Sequence, residues 1–338
     1  MPSPLKELSP DELKDWLQRQ GEPAFRAKQI REWLYDKWAV SVDEMSNLPQ
    51  ALRDKLEAAF TVFSVQCTEK QTSADGTIKY GLALSDGSGV EAVLIPASDR
   101  RTVCISSQVG CPVRCAFCAS GADGLKRNLG VQEIVDQVIF VCRELGTRVD
   151  NVVLMGVGEP LLNLENVQPA LETISGASGL GIGARNITVS TSGIVPGIYT
   201  LADAGRQWNL AVSLHAGTEE TRARLIPSAH RYSLESIRSA CLYYREKTKR
   251  MVTIEYALLE GVNDNAEEAR ALACLATEVR AKVNVIPYNT ISGTYTFPEK
   301  KKVEQFVAEL SRCGARVTVR KSGGADIDAA CGQLRQKG

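Results

Sequence analysis

Apolar residues in the first part of the chain recur at helical spacing. Leu13, Trp16 and Leu17 share a face behind Ser9-Pro10-Asp11-Glu12, where serine can cap, proline suits the first helical position and glutamate completes a capping box. The pattern predicts a helix that stops at Gly21. A second helix follows Pro23, with Ile30, Trp33, Leu34 and Trp38 on its apolar stripe, and Asn47-Leu48-Pro49 opens a third carrying Leu52 and Leu56. Residues 1–65 therefore read as a small helical accessory domain. Across 66–99 the period shortens to two. Lys79–Leu84 and Val90–Ile95 alternate around turn signals at Asp75-Gly76 and Asp86-Gly87-Ser88-Gly89, which predicts a β-hairpin extension or small meander. From 100 to 338, apolar runs suited to buried strands (Thr102–Ser107, Asn151–Met155, Asn186–Ser190, Asn209–Leu214, Val252–Leu258, Lys282–Ile286) are mostly separated by amphipathic, helix-length segments. Strands alternating with helices make an α/β protein with a parallel sheet, and the number of units suits a partial (β/α)6 barrel of the TIM type. In that architecture chemistry belongs at the C-terminal ends of the strands.

Composition narrows the picture a little. The chain is 44% hydrophobic and 24% charged, with 40 acidic and 40 basic residues, a profile of ordered globular proteins that argues against disorder. Zero net charge argues against non-specific coating of nucleic acid but leaves room for a local basic face. There is no apolar run of about 18 residues and no signal-peptide pattern at the N-terminus, so a cytoplasmic location without membrane contact is expected. In a reducing compartment the ten cysteines read as thiols for metal binding or catalysis rather than as a disulfide framework.

Three of them stand out. Cys111, Cys115 and Cys118 form a C-x3-C-x2-C pattern just after the first barrel strand, where a loop can wrap a metal. Thiolates are the ligands of iron–sulfur clusters, which mostly take four; three on one loop leave one iron open to bind a small molecule. The plainer readings are buried structural thiols, or a zinc knuckle completed elsewhere. Zinc would want a fourth ligand nearby, yet both histidines, His215 and His230, lie far along the chain.

The motif, with Phe117 before its last cysteine, resembles the radical S-adenosylmethionine (SAM) superfamily. The likeness extends through Val90-Glu91-Ala92-Val93-Leu94-Ile95-Pro96, Cys104–Gly110, Met155-Gly156-Val157-Gly158-Glu159-Pro160, Ser213-Leu214-His215 and Asp326–Leu334. Together these blocks resemble the RlmN/Cfr family of RNA adenine methyltransferases over nearly the whole chain. The resemblance implies a 4Fe-4S cluster on Cys111, Cys115 and Cys118, with SAM chelated at the open iron. Gly156, Gly158 and Glu159 would meet the methionine part of SAM, the glycines by letting backbone approach the ligand and Glu159 by accepting from its ammonium. Ser190, Ser213, Leu214, His215 and Asn289 are implied to line the rest of the SAM site, although His215 reads equally as a histidine merely hydrogen-bonded in the barrel mouth.

The implied reaction uses two SAM molecules per turnover. Cys331 takes a methyl group from one, and a 5′-deoxyadenosyl radical from the other removes a hydrogen atom from that methyl. The resulting radical adds to adenine, Glu91 accepts the ring proton, and Cys104 attacks the sulfur of Cys331 to release the product as a disulfide forms. Without the resemblance, Cys104 and Cys331 read as small core residues and Glu91 as a solvated charge. Cys67, Cys142, Cys241, Cys274 and Cys313 have no evident role.

For RNA, basic groups at Lys126-Arg127, Arg222, Arg224, Arg231 and Arg320-Lys321 fall near the expected mouth, and the helical domain mixes Arg26, Lys28 and Arg31 with Trp33, Tyr35 and Trp38. The implied partners are 23S rRNA and tRNA, with flavodoxin or ferredoxin as electron donor to a monomer. The Gly-Val-Gly-Glu-Pro-Leu-Leu-Asn and Val-Asn-Val-Ile-Pro-Tyr-Asn segments favour methylation at adenine C2. A C8 methyltransferase with the same cysteines stays open, as does a non-catalytic iron–sulfur redox sensor, against which the distant Cys104 and Cys331 count.

Overall fold

The structure, a computed structural model, describes residues 2–289, 291, 295, 296, 298–320 and 323–335. Among these, ten strands form one sheet in chain order: β1 (Val65–Thr72), β2 (Ile78–Leu84), β3 (Gly89–Pro96), β4 (Arg101–Cys104), β5 (Asn151–Leu154), β6 (Ile187–Thr191), β7 (Asn209–Ser213), β8 (Thr253–Leu258), β9 (Lys282–Pro287) and β10 (Arg316–Val319). Pairing is antiparallel from β1 to β4 and parallel from β4 to β10. The six expected parallel strands are β4 to β9, each followed by helix as the alternating pattern requires. β10 is a seventh that the sequence did not announce, because Arg-Val-Thr-Val is short and mostly exposed. The expected hairpin is a three-stranded meander continuous with the barrel sheet, since β3 pairs with β4 from Val93↔Cys104 to Pro96↔Arg101.

The helical module is α1 (Pro10–Arg19), α2 (Phe25–Tyr35) and α3 (Gln50–Ala59). The Ser9/Glu12 capping box forms as expected, with Ser9 Oγ accepting from Glu12 N–H at 3.2 Å and Glu12 accepting from Ser9 N–H at 2.8 Å. One apolar cluster runs from Leu5 to Ala315 without a break, so the module and the sheet share a core. A buried ion pair reinforces the junction. Lys6 Nζ lies 2.8 Å from Asp136 Oδ1 on α4 (Val131–Leu145), with both side chains fully enclosed. Asp136 Oδ2 also accepts from Ser64 N–H and Oγ–H, each at 2.8 Å. Among the described residues no helix is long and apolar enough to cross a membrane.

Candidate active site at the mouth of the parallel sheet

After β4 the chain enters a short strand, Gln108–Gly110, that pairs with Leu125–Asn128 and closes the loop carrying Cys111, Cys115 and Cys118. The closure depends on glycine. Gly110 has φ 77°, and a Cβ there would sit 1.9 Å from the Gly124 carbonyl oxygen, the same oxygen that accepts from Cys111 N–H at 3.0 Å. The three thiols are half-buried beside Val113 and Phe117. Burial pushes the Cys111 thiol up to about 12, and Cys115 and Cys118 also rise, with neighbouring thiols adding to the effect. Three thiolates gathered in such surroundings are unfavourable as bare anions and call for a cationic centre. Among the described residues no three His, Cys, Asp or Glu side chains converge on a point for a single ion. Three soft thiol donors lining one cavity suit an iron–sulfur cluster, whose irons take thiolate ligands.

The thiols open onto a cavity of about 950 Å3. Leu154, Ser190, Ser213, Ala257, Ile286 and Arg320 also line it, at, near or just past the C-terminal ends of six successive strands, with Glu255 joining from the middle of β8, so the sheet curls around this space. Ser190 and Ser213 meet inside it, Oγ to Oγ, at 3.2 Å. Glu159 is buried. Its Oε2 accepts from Ser192 N–H at 2.7 Å and Oγ–H at 2.8 Å, its Oε1 accepts from Leu161 N–H at 3.1 Å, and burial raises its carboxyl. Gly156 and Gly158 line the cavity too, but their missing side chains make room for protein: a Cβ on Gly156 would lie 2.7 Å from Ile105 O, and one on Gly158 (φ 114°) 2.7 Å from Ser107 Oγ. These glycines thus let two loops pack closely at the cavity wall.

His215 reaches the cavity from a left-handed backbone position, φ 56°. Its Nδ1 accepts from Ala257 N–H at 2.8 Å, which leaves the proton on Nε2, and burial holds the ring neutral by depressing it to about 3. Phe117 packs edge-on at 4.6 Å between centroids. Asn289 is at the rim, with Nδ2 3.5 Å from the Cys331 carbonyl oxygen. Leu214 is not brought to the cavity: its side chain is fully buried in the main core, and only its neighbours face the space.

Cys104 and Cys331 are free thiols 227 positions apart that face one smaller cavity of about 500 Å3 together with Met155, Arg320 and Leu334. Cys331 lines the larger cavity as well and so joins the two. Burial pushes Cys104 up to about 12, with the charge of Cys331 adding to the rise and Arg320 opposing it. Arg320, read from sequence as an RNA contact, is an inward group; Cys331 first, then Glu255 and Cys104, raise its pKa. Lys321 lies outside the described residues. Sequence reasoning missed Glu255 and Met155 as well, because a lone charge within a strand or a lone sulfur just past one carries no signature.

The segment that bears Cys331 is tied on both sides. Asp326 accepts from Ser73 Oγ–H at 2.6 Å and Ala74 N–H at 3.2 Å, while Asp75 accepts from Gly324 N–H at 3.0 Å. Across from the meander, Ala119 N–H donates to Gly332 O at 2.8 Å and Ser120 Oγ–H to Leu334 O at 2.7 Å. Beyond this segment is an open basin of about 2300 Å3 that holds Glu91, with Lys79, Arg114, Lys126 and Arg335 around it. Two of the expected basic contacts are otherwise committed. Arg127 pairs with Asp86 at 2.6 Å and Glu133 at 2.7 Å, and Arg222 is buried, donating to Ser192 O at 2.8 Å and Tyr232 O at 3.0 Å. Tyr35 and the face of Trp33 are likewise occupied, Tyr35 by the core and Trp33 by Lys37, 3.6 Å above its ring.

Residues 105–273 match the radical SAM superfamily, and residues 4–62 match the ribosomal RNA large subunit methyltransferase N-terminal domain. The chain is 47% identical over 331 residues to a protein of Staphylococcus saprophyticus named probable dual-specificity RNA methyltransferase RlmN, covering 97% of this chain and 91% of that one. A Staphylococcus aureus protein of the same name is 48% identical over the same shares. The chain belongs to the RlmN family. A crystal structure of a radical SAM methyltransferase from Sphaerobacter thermophilus agrees in fold, with 41% identity, a TM-score of 0.95 and 99% coverage of both chains. RlmN membership makes the chain a SAM-dependent RNA methyltransferase, and its radical SAM domain implies a 4Fe-4S cluster and SAM. The helical module coincides with the family's N-terminal domain.

Proposed function

We propose that the enzyme methylates C2 of an adenine in 23S rRNA and tRNA through a methylated Cys331. The observation that carries the reading is the position of Cys331, which faces the cysteine-loop cavity on one side and Cys104 on the other. Adenine ring carbons are electron-poor and cannot attack a sulfonium, so the methyl group needs a carrier and a radical route.

A 4Fe-4S cluster on Cys111, Cys115 and Cys118 would supply one electron to SAM and with it hydrogen-abstracting chemistry. This chain's own residues do the rest. Cys331 acts as the nucleophile that accepts the methyl group, and Arg320 lines both cavities with it. The Ser190–Ser213 pair, the Nε2–H of neutral His215 and Asn289 offer polar partners for the sugar, carboxylate and base of SAM, and Glu159, braced by Ser192, suits its ammonium. Two SAM molecules are consumed per turnover, one as methyl donor and one as radical source. Glu91 receives the ring proton, and the Cys104 thiolate then attacks Cys331 sulfur: the S–S bond forms, the S–CH2 bond breaks and its electron pair takes a proton to complete the methyl group, while the unpaired electron of the adduct would be taken up by the oxidised cluster. RNA enters over the basin, where Lys126 and Arg114 are in no ion pair among the described residues. A flavodoxin or ferredoxin feeds electrons to a monomer in the cytoplasm.

The test is an anaerobic reaction of cluster-loaded protein with reductant, a 23S rRNA fragment or tRNA and methyl-deuterated SAM. The expected nucleoside is 2-methyladenosine that has lost one of the donor's deuteriums. A fully deuterated methyl group would overturn the carrier route, and 8-methyladenosine would move the reaction to C8.

A further inference from the structure

Within the basin, β2 and β3 are registered so that Gly81 stands opposite Glu91. With no side chain there, the diagonal neighbour Lys79 reaches across, its Nζ 3.6 Å from Glu91 Oε1. Lys79 is only 5% exposed. Burying an ammonium on a strand costs more than burying an apolar residue unless its partners are needed, and the partners here are specific. Lys79 Nζ–H also donates to the Asp328 carbonyl at 3.4 Å, and Glu91 Oε2 accepts from Arg335 N–H at 2.7 Å. Asp328 and Arg335 flank Cys331 in the same segment. One ammonium thus touches both the candidate base and the backbone that carries the candidate nucleophile.

We propose that Lys79 is a positioning residue that sets Glu91 against the seated Cys331 segment, so that the base is aligned only when the methyl-bearing sulfur is in place. The proposal rests on Glu91 as proton acceptor and Cys331 as methyl carrier. The step it serves is a proton transfer: the C–H bond at the carbon being methylated breaks, its electron pair stays on the ring, and the proton goes to the Glu91 carboxylate. Lys79 does not touch the reacting carbon. It fixes the carboxylate's direction and holds Asp328 while the transfer occurs.

The test compares the wild-type holoenzyme with Lys79→Met, Lys79→Arg and, as a control for segment seating alone, Asp326→Ala. Three quantities are read: methylation of Cys331 by peptide mass, deoxyadenosine released per methylated adenosine, and hydrogen exchange across residues 324–335. Lys79→Met is expected to keep Cys331 methylation within about twofold of wild type while the deoxyadenosine-to-product ratio rises at least tenfold, because radicals form but adducts are not deprotonated. Exchange should rise at the Arg335 amide, and Lys79→Arg should recover most of the coupling. An unchanged ratio in Lys79→Met overturns the proposal. So does a loss of Cys331 methylation equal to the loss of product, matching Asp326→Ala, since Lys79 would then only hold the segment down. Wild-type protein that cleaves SAM and methylates no adenosine would instead sink the functional reading itself.

Discussion

Two lysine–carboxylate pairs join parts of this fold that are far apart in sequence, and they are built differently. Lys6–Asp136 is closed, with both side chains at 0% exposure, the contact at 2.8 Å and the second carboxylate oxygen satisfied by Ser64. Lys79–Glu91 is longer at 3.6 Å, its side chains are 5% and 13% exposed, and it borders an open basin. Burial raises the Asp136 carboxyl while Lys6 opposes the rise, as expected of a charge kept ionised in the interior by a single cation. The closed pair can do little except hold the helical module to α4. The open one leaves its carboxylate within reach of a substrate, and its backbone partners belong to the segment that carries Cys331.

The sharpest way to break the comparison is to remove one member of the closed pair. Lys6→Met should leave an uncompensated buried carboxylate and lower stability by about 3–5 kcal/mol, while Lys6→Met combined with Asp136→Leu should recover much of that loss. Denaturant titration of both variants decides it. A loss below about 1 kcal/mol in the single variant would mean that the two pairs do not differ in kind.

Glu159 offers an intermediate case, a buried carboxylate held by hydrogen-bond donors instead of a cation. Glu159→Gln keeps the shape but presents an amide to Ser192 or to Leu161, leaving one buried donor unmet at a cost of about 1–3 kcal/mol. Because the side chain also faces the cavity, SAM affinity should fall with stability. A variant that loses stability alone would remove Glu159 from the SAM site.

Lys79→Met marks the other end, with a stability loss of no more than about 1 kcal/mol by thermal unfolding despite its effect on coupling, because Glu91, unlike Asp136, borders the basin and is rehydrated once the ammonium is gone. A larger loss would move Lys79 into the class of Lys6.

How far these features were legible in the sequence follows the same division. The six parallel strands and three N-terminal helices were visible because each repeats a period over several residues, and the cluster loop because three thiols share one short spacing. β10 was not, since Arg316–Val319 has no apolar run. Cys104 and Cys331 were found only through resemblance to a family, as two lone cysteines 227 positions apart give no local pattern. The packing role of Gly158 against Ser107 was not legible, because sequence shows that a side chain is missing but not what occupies its place. Arg320 was placed near the mouth as an RNA contact, and only the fold shows that it faces the two cavities that Cys331 joins. Lys79 could have been found: alternation places Lys79 and Gly81 on one face of β2, and the hairpin turn sets Gly81 opposite Glu91.

The mildest test concerns how the Cys331 segment is seated. Asp75 accepts from Thr77 N–H at 2.9 Å and from Gly324 N–H at 3.0 Å, and the hydrogen bonds, those of Thr77 foremost, hold its carboxyl down to about 2. A carboxyl depressed in the folded state adds stability above its ordinary value near 3.8, and that contribution is lost as pH falls through the range from 3.8 to about 2. Asp75 is solvent-exposed, so the global effect should be only a few tenths of a kcal/mol. The local effect should be larger than the global one, since the Gly324 bond is one of the few that tie this end of the segment to the meander. Asp75→Asn at pH 7 is therefore expected to speed hydrogen exchange from Gly324 to Arg335 while leaving the unfolding midpoint nearly unchanged. Wild-type protein should show the same selective loosening as pH is lowered from 4 towards 2, after correction for the intrinsic exchange rate. Equal loosening around Lys6 and Asp136 over that range would mean that acid opens the whole fold, and the Cys331 segment would lose its claim to be the more easily released of the two regions.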